Sequence, residues 1–373
     1  MAQVSKTKSK GGSAAPGATT TAPRNASLSA AKENKEDEFY TQLGDIEREV
    51  KHYRHHFEGK TVYLNCDDPR VSNFFYYFSY NFEALGLKKL IATCYKNQDI
   101  DTFSENNVEE AVWLEYEGDK NGSGTPDRAE ILVQPLKGNG DFRSAESIEL
   151  LKQADIVVTN PPFSLFREFI NQLLTHDKKF LILGNQNAIT YKEVFPHIMA
   201  EKLWLGANAG DMAFKVPDHY KPRATRFWVD DDGQKWRSFG NMAWYTNLDH
   251  SKRHEELILY RSYNPSDYPT YDNYDAIEVG RIADIPMDFD GVMGVPTGFL
   301  TKHNPEQFEV VGTTESNDPK NPFRKRVYTS AECRAAYQQR FGKPGVYDLN
   351  ASGVISGEKK YKRILIRRKG AAT

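Results

Sequence analysis

The sequence predicts an α/β protein: an open, doubly wound, mostly parallel sheet followed by a smaller irregular C-terminal region. Three observations predict it. Short apolar runs alternate with segments of helical period over roughly residues 60–185. Those runs are apolar throughout, as strands buried on both faces require. Beyond residue 200 the alternation fades, and after about 250 the chain turns rich in Tyr, Asp and Pro.

Taken in order, residues 1–36 are Ala, Ser, Thr, Gly and Lys with almost nothing apolar, a composition that cannot offset the entropy of ordering, so a disordered basic tail is expected. Order begins near "DEFYTQLGDIEREVKHYRHHF", where Ile46, Val50, Tyr53 and Phe57 recur at helical spacing. "TVYLNC" reads as the first strand. Ser72 then opens an aromatic helix, "SNFFYYFSYNFEAL", that stops at Gly86. "KKLIATCY", "AEILVQP", "ADIVVTN" and "KFLILGN" read as strands two to five, with helices "SAESIELLKQ" before the fourth and "SLFREFINQLLTH" after it. Right-handed crossovers between such strands leave helices on both faces. "TRFWVDDDGQKWRSF" reads as a hairpin turning at Asp232 and Gly233, and "NMAWYTNL" as a further strand. "FEVVG" and "KRILIRRK" are strand-like pieces of the last region. The expected division is a tail (1–36), a catalytic domain (37–249) and a recognition region (250–373).

Composition sets outer limits. Of 373 residues, 39% are hydrophobic and 27% charged, ordinary for a soluble globular chain. No apolar run suits a bilayer span, and the start lacks a secretory core, so a cytoplasmic protein is expected. Cys66, Cys94 and Cys333 show no pairing or metal spacing, nor do the nine histidines, and no metal site is predicted. Charge is uneven. Residues 320–373 hold 14 Lys or Arg against 3 Asp or Glu, a surplus that suits a polyanion.

The most informative corner is "TNPPFSLF", which closes the fourth strand. Two prolines cannot extend a ladder, so Asn160, Pro161, Pro162 and Phe163 mark a strand end built for something else. Open α/β sheets bind ligands at that carboxyl edge. Asp/Asn/Ser-Pro-Pro-aromatic is the motif of enzymes that methylate exocyclic or amide nitrogens. An adenine amino nitrogen is a weak nucleophile because its lone pair is delocalised into the ring. The Asn160 oxygen and the Pro161 carbonyl can accept its two hydrogens, localising that pair and stabilising the developing charge without a strong base. Phe163 offers a platform for a base that has left the duplex stack.

A methyl donor must lie alongside. After the first strand stand Cys66, Asp67, Asp68 and Pro69, an acidic turn without the glycines of a dinucleotide fingerprint, suited to a cationic sulfonium and amino group. "GNGDFRS" supplies Asp141 to accept from a purine amino group and Phe142 to cover the ring. "EFYTQ", with Tyr40 and Thr41, is placed to fold back over the donor's carboxylate end.

These residues resemble the EcoRI-type adenine-specific DNA methyltransferases. The resemblance is carried by "DEFYTQ", "CDDPRVSNFF", "LGLKKLIA", "GDFRS", "DIVVTNPPFSLF", "ITYKEVF", "YDNYDAI", "DIPMDF", "GVMGVP" and "NPEQFE" in family order, over roughly residues 37–311, resuming at "KRILIR". It implies a sheet of the S-adenosylmethionine-dependent methyltransferase type, N6-adenine methylation of double-stranded DNA, and target recognition toward the C-terminus. Tyr40 and Thr41 fall in the upstream donor segment, Asp67, Asp68 and Pro69 in the turn after the first strand, Asp141 and Phe142 in the purine motif, and Asn160 to Phe163 in the catalytic one. Cys94 and Tyr95 stand where many such enzymes carry an acidic ribose contact, so the resemblance assigns no ribose partner, and Tyr95 is counted among the donor-site residues. Residues 315–357 have no counterpart.

The same tetrapeptide serves cytosine N4, RNA guanine and protein glutamine methylation, and a catalytically silent DNA-binding relative is a third class. Arg223, Arg226, Arg324, Lys325 and Arg326 are candidates for phosphate or guanine contact. A monomer is expected, because one target base per strand demands no dimer, and a companion restriction endonuclease is a candidate partner.

Overall fold

The computed structural model describes residues 39–66, 72–93, 111–127, 129–218, 220–315 and 321–370. The expected tail, residues 1–36, lies outside them, as do Asp67, Asp68, Pro69 and Tyr95.

Nine strands form the main sheet: β1 (Thr61–Leu64), β2 (Lys89–Thr93), β3 (Val112–Tyr116), β4 (Leu132–Pro135), β5 (Ile156–Thr159), β6 (Lys179–Asn185), β7 (Trp204–Lys215), β8 (Phe227–Val229) and β9 (Lys235–Thr246). Their order is β4-β3-β2-β1-β5-β6-β9-β7, with β8 also on β9. Only the central four run parallel: β1 pairs with β2 and β5, and β5 with β6. Every other pairing in this sheet is antiparallel, so "mostly parallel" is corrected to a parallel centre with antiparallel flanks. "AEILVQP" is accordingly no crossover strand. It is β4, an exposed edge paired to β3, a strand the sequence reading passes over.

Double winding holds at the centre, where successive side chains point to opposite faces. Tyr63, Ile91 and Val157 join one core with Leu150, Phe169 and Leu173 of helices Ala145–Gln153 and Phe166–Thr175. Val62, Leu90 and Val158 join a second core with Ile46, Val50 and Phe78 of helices Leu43–Val50 and Asn73–Tyr80. The predicted helical positions Ile46, Val50, Tyr53 and Phe57 are all fully buried. Ser72 caps its helix by accepting from Phe74 N, and Ser144 does the same with Ser147 N.

On the far flank "NMAWYTNL" is not a separate strand. It continues the hairpin arm as one twelve-residue strand, β9. The hairpin itself forms as expected, with Phe227 opposite Arg237 and Gly233 at φ 82° in the turn. β7 shifts register between Leu205 and Ala209, and the buried Glu49 carboxylate fills that bulge. It accepts from Ala207 N (2.7 Å), Asn208 N (2.8 Å), Asn208 Nδ2 (2.8 Å) and Tyr53 Oη (2.7 Å). Burial raises the Glu49 carboxyl above the usual range, against the pull of those donors.

The last region carries β10 (Ile277–Glu278), β11 (Met293–Pro296), β12 (Phe308–Thr313), β13 (Val354–Ile355), β14 (Glu358–Lys359) and β15 (Arg363–Arg368). "FEVVG" and "KRILIRRK" are β12 and β15, paired antiparallel within a sheet ordered β10-β11-β15-β12. Met293, Phe299, Phe308 and Ile366 belong to the same continuous core as Phe169 and Leu173. Helix Ser330–Phe341, unforeseen in the sequence, starts with a Thr329/Glu332 capping box and ends on Gly342 at φ 66°. No helix among the described residues is long and apolar enough to cross a membrane.

Candidate active site

β1 and β5 are neighbours, so the residues that follow them meet at one edge of the sheet. Asn65 follows β1 and Asn160 follows β5. The Thr159 hydroxyl donates to the Asn65 carbonyl and ties the two ends together. Pro161 and Pro162 then turn the chain into a short 3-10 turn, Phe163–Leu165, that leads into helix Phe166–Thr175.

Asn160 is 6% exposed. Its Nδ2 donates to the Phe39 carbonyl at 2.7 Å, which fixes the carboxamide and leaves Oδ1 buried with no partner. Two more buried side-chain oxygens of this edge lack a partner, Thr41 Oγ1 and Asn65 Oδ1. Buried polar atoms without partners cost free energy, and a ligand bringing N–H groups would relieve that cost here.

The segment containing Tyr40 and Thr41 does fold back over this corner. Tyr40 N donates to Lys215 O (3.0 Å), and Asn73 Nδ2 donates to Thr41 O (2.7 Å). With the Asn160 bond, these contacts pin residues 39–41 to the ends of β5 and β7 and to the start of helix Asn73–Tyr80. Phe39 stacks on Phe163 with centroids 5.2 Å apart and 17° between planes. Phe239 and Phe214 close the nest edge-on, at 4.9 and 5.9 Å from Phe39. Phe163 is half-buried in that nest. Phe214 and Phe239 escape sequence reading because they stand on β7 and β9, whose placement beside Asn160 is a matter of topology alone.

Cys66 adopts φ 82°, the left-handed region that glycine occupies at low cost. The chain thus leaves β1 with a backbone twist that glycine favours, although Cys66 stands there. Asp141 and Phe142 lie just before helix Ala145–Gln153. The Asp141 carboxylate is gripped by Arg143, with Nε to Oδ1 at 2.9 Å and Nη2 to Oδ2 at 2.7 Å. Phe142 is buried edge-to-face against Phe169, centroids 5.0 Å apart, with the Arg143 guanidinium 5.3 Å from its ring.

The cationic candidates are dispersed. Arg223 and Arg226 are exposed beside the hairpin, Arg223 5.8 Å from the Tyr220 ring and Arg226 3.1 Å from Asp211. Arg324, Lys325 and Arg326 lie in the C-terminal region outside its strands, Arg324 bridging to Tyr274. Arg324 is half-buried over Tyr274, Lys325 reaches Asp275 (3.5 Å), and Arg326 pairs with Glu332. Much of the basic surplus is likewise matched: Arg363 pairs with Glu278, Lys362 with Glu315 and Arg367 with Glu309.

Comparison with known proteins identifies the family. The family model described as "Adenine-specific methyltransferase EcoRI" matches residues 27–369, a span that includes residues 315–357, for which no counterpart was expected. The Type II methyltransferase M.EcoRI of Escherichia coli is 52% identical over 298 residues, 79% of this chain and 91% of its own length. M.MgeORF184P of Mycoplasma genitalium is 38% identical over 346 residues, covering 91% of this chain and 97% of that protein. M.MpnI of Mycoplasma pneumoniae is 41% identical over 287 residues, 75% of this chain and 83% of its own. No solved structure matches the chain. On the strength of the family match and these relatives, the chain belongs to the EcoRI-type family of adenine-specific DNA methyltransferases.

Proposed function

We propose that the chain transfers a methyl group from S-adenosylmethionine to N6 of an adenine extruded from a specific sequence in double-stranded DNA. The observation that carries this reading is Asn160 Oδ1, buried, unpartnered and held in place by the Phe39 carbonyl beside the Phe163 ring. The residues present fit the donor: Thr41 Oγ1 and Asn65 Oδ1 are oxygens awaiting partners, and Asp67 and Asp68 put negative charge where the chain leaves β1. Bound there, the sulfonium supplies an electrophilic methyl group.

The chain's own residues do the rest. Asn160 Oδ1 and the Pro161 carbonyl accept the two amino hydrogens and aim the nitrogen lone pair. Pro161 and Pro162 hold those acceptors rigidly, and Phe163 stacks on the base, offsetting part of the few kcal/mol that extrusion costs. Phe39 occupies one face of that ring, so the base takes the face that Phe39 leaves or displaces it. To the donor side we assign Tyr40, Thr41, Cys66, Asp141 and Phe142, with Asp67, Asp68, Pro69 and Tyr95, which lie outside the described residues, assigned by sequence. Residues 37–249 form the catalytic unit and 250–373 the recognition region, with Arg223, Arg226, Arg324, Lys325 and Arg326 toward DNA. We further take the protein to be a cytoplasmic monomer, with a restriction endonuclease as its companion.

Expression in a host without adenine methylation, followed by sequencing of its genome for modified bases, tests the proposal. N6-methyladenine confined to one short sequence is the expected result; N4-methylcytosine, or unmodified DNA from folded enzyme, would overturn it. DNA affinity should also fall steeply with salt, by about 10³-fold or more between 50 and 200 mM if at least about six phosphates are contacted. A flat response in a filter-binding series would remove the basic residues from the interface.

A further inference from the structure

The loop joining β3 to β4 reads "DKNGSGTPDRAE", residues 119–130. Its oxygen-bearing side chains fall at positions 1, 3, 5, 7, 9 and 12 of a twelve-residue stretch, with glycine at position 6. That is the spacing of an EF-hand calcium loop, in which position 7 adds a backbone carbonyl and position 12 a bidentate glutamate. Two departures are visible: serine stands at position 5, where Asp or Asn is usual, and the flanking elements are strands. A hydroxyl is still a hard oxygen donor, and hard cations select oxygen.

The fold of the loop follows the same plan. Gly124 takes φ 77° at the sharp turn, and its N–H donates to Asp119 Oδ2 at 2.7 Å. Gly122 N and Ser123 N donate to Asp119 Oδ1 (2.7 and 3.1 Å), so the backbone wraps around the first carboxylate. Glu130 reaches back across the loop, its Oε1 accepting from Lys120 N (2.7 Å) and Asn121 N (3.0 Å).

The feature that asks for a ligand is the other oxygen of that glutamate. Glu130 Oε2 has no accessible surface and no hydrogen-bond partner. A carboxylate oxygen denied both water and donors is costly, and a cation removes the cost. The local field agrees: the Tyr116 phenol on β3 is pushed up to about 12 by burial and by the carboxylates of Glu130, Asp119, Glu83 and Asp127.

We infer that this loop is a calcium-class divalent cation site, with the side chains of Asp119, Asn121, Ser123, Asp127 and Glu130 and the Thr125 carbonyl as donors. Among the described residues no three His, Cys, Asp or Glu side chains already converge on a point, and several local bonds must open. Asn121 Nδ2 holds Asp127 Oδ2 at 2.6 Å, and the Ser123 hydroxyl donates to Thr125 O at 2.7 Å. Asn121 Oδ1 also accepts from Ser123 N (2.8 Å) and Ser123 Oγ from Thr125 N (3.3 Å), so both side chains must turn from these bonds to face an ion. Arg128, which is not at a donor position, lies outside the described residues. The ion would staple the β3–β4 edge of the sheet.

The test is calorimetric titration of chelator-treated full chain with calcium chloride, repeated with magnesium chloride and, by luminescence sensitised through Tyr116, with terbium. One saturable calcium site is expected, with a dissociation constant within about 10⁻⁷–10⁻³ M and magnesium at least about tenfold weaker. Glu130→Gln should weaken it by at least about tenfold, as should Asp119→Asn if the first variant folds poorly. The site is overturned if wild type shows no saturable calcium binding up to about 10 mM, if magnesium binds as tightly, or if a folded variant binds like wild type.

Discussion

Replacing Asn160 by alanine is expected to cut the single-turnover rate of methyl transfer by about 10²–10³-fold, the usual loss when one preorganised hydrogen-bonding group at a reacting centre is removed. Affinity for the target duplex should change little, because the phosphate contacts that dominate it lie elsewhere. The two readouts separate a positioning failure from a folding failure. Asn160 is 6% exposed and its Nδ2 also tethers the Phe39 carbonyl, so the variant's thermal midpoint belongs beside the kinetics. A folded Asn160→Ala enzyme with near-normal turnover would remove the residue from the chemistry.

Glu49→Ala should cost about 3–5 kcal/mol of stability, measured as a shift in the urea midpoint at constant slope. The reason is arithmetic of donors, not of charge: truncation strands the Tyr53 hydroxyl, Ala207 N and Asn208 N inside the fold, each worth about 1–3 kcal/mol when left unmade. The carboxylate is tightly enclosed: a methyl on Gly206 would fall 2.2 Å from Glu49 Oε1. Glu49→Gln keeps one acceptor oxygen and should lose less than alanine does. Equal midpoints for wild type and Glu49→Ala would show that water satisfies the bulge.

What could be read in the sequence was whatever is local. The Asn160–Phe163 turn and the Asp232–Gly233 hairpin each carry their signal within a few residues, and each stands where it was expected. The buried strands β1, β5 and β6 were legible because both faces are covered and the runs are uniformly apolar. β7 was not, because its Gly206, Asn208 and Gly210 and two register shifts break any alternation. β3 hid for another reason: its apolar positions are split by Glu115 and it is half-buried. Strand direction on the flanks depends on which distant segment docks beside β6, and no local pattern encodes that. The aromatic nest around Phe163 is drawn from residues 39, 163, 214 and 239, so its members look like ordinary core until the chain is folded. Cations read as a DNA-facing surplus proved largely matched by acidic neighbours, a fact visible only in three dimensions.

β9 serves two places at once. Trp236 stands by the hairpin's turn, stacked on Trp228 with 2° between planes, and three residues along the same strand Phe239 forms a wall against Phe163. Over that span its pairing with β7 and β8 runs without a register shift, so nothing acts as a joint. Whatever leans on the outer arm therefore tilts the inner wall with it, like a crank turning on one shaft.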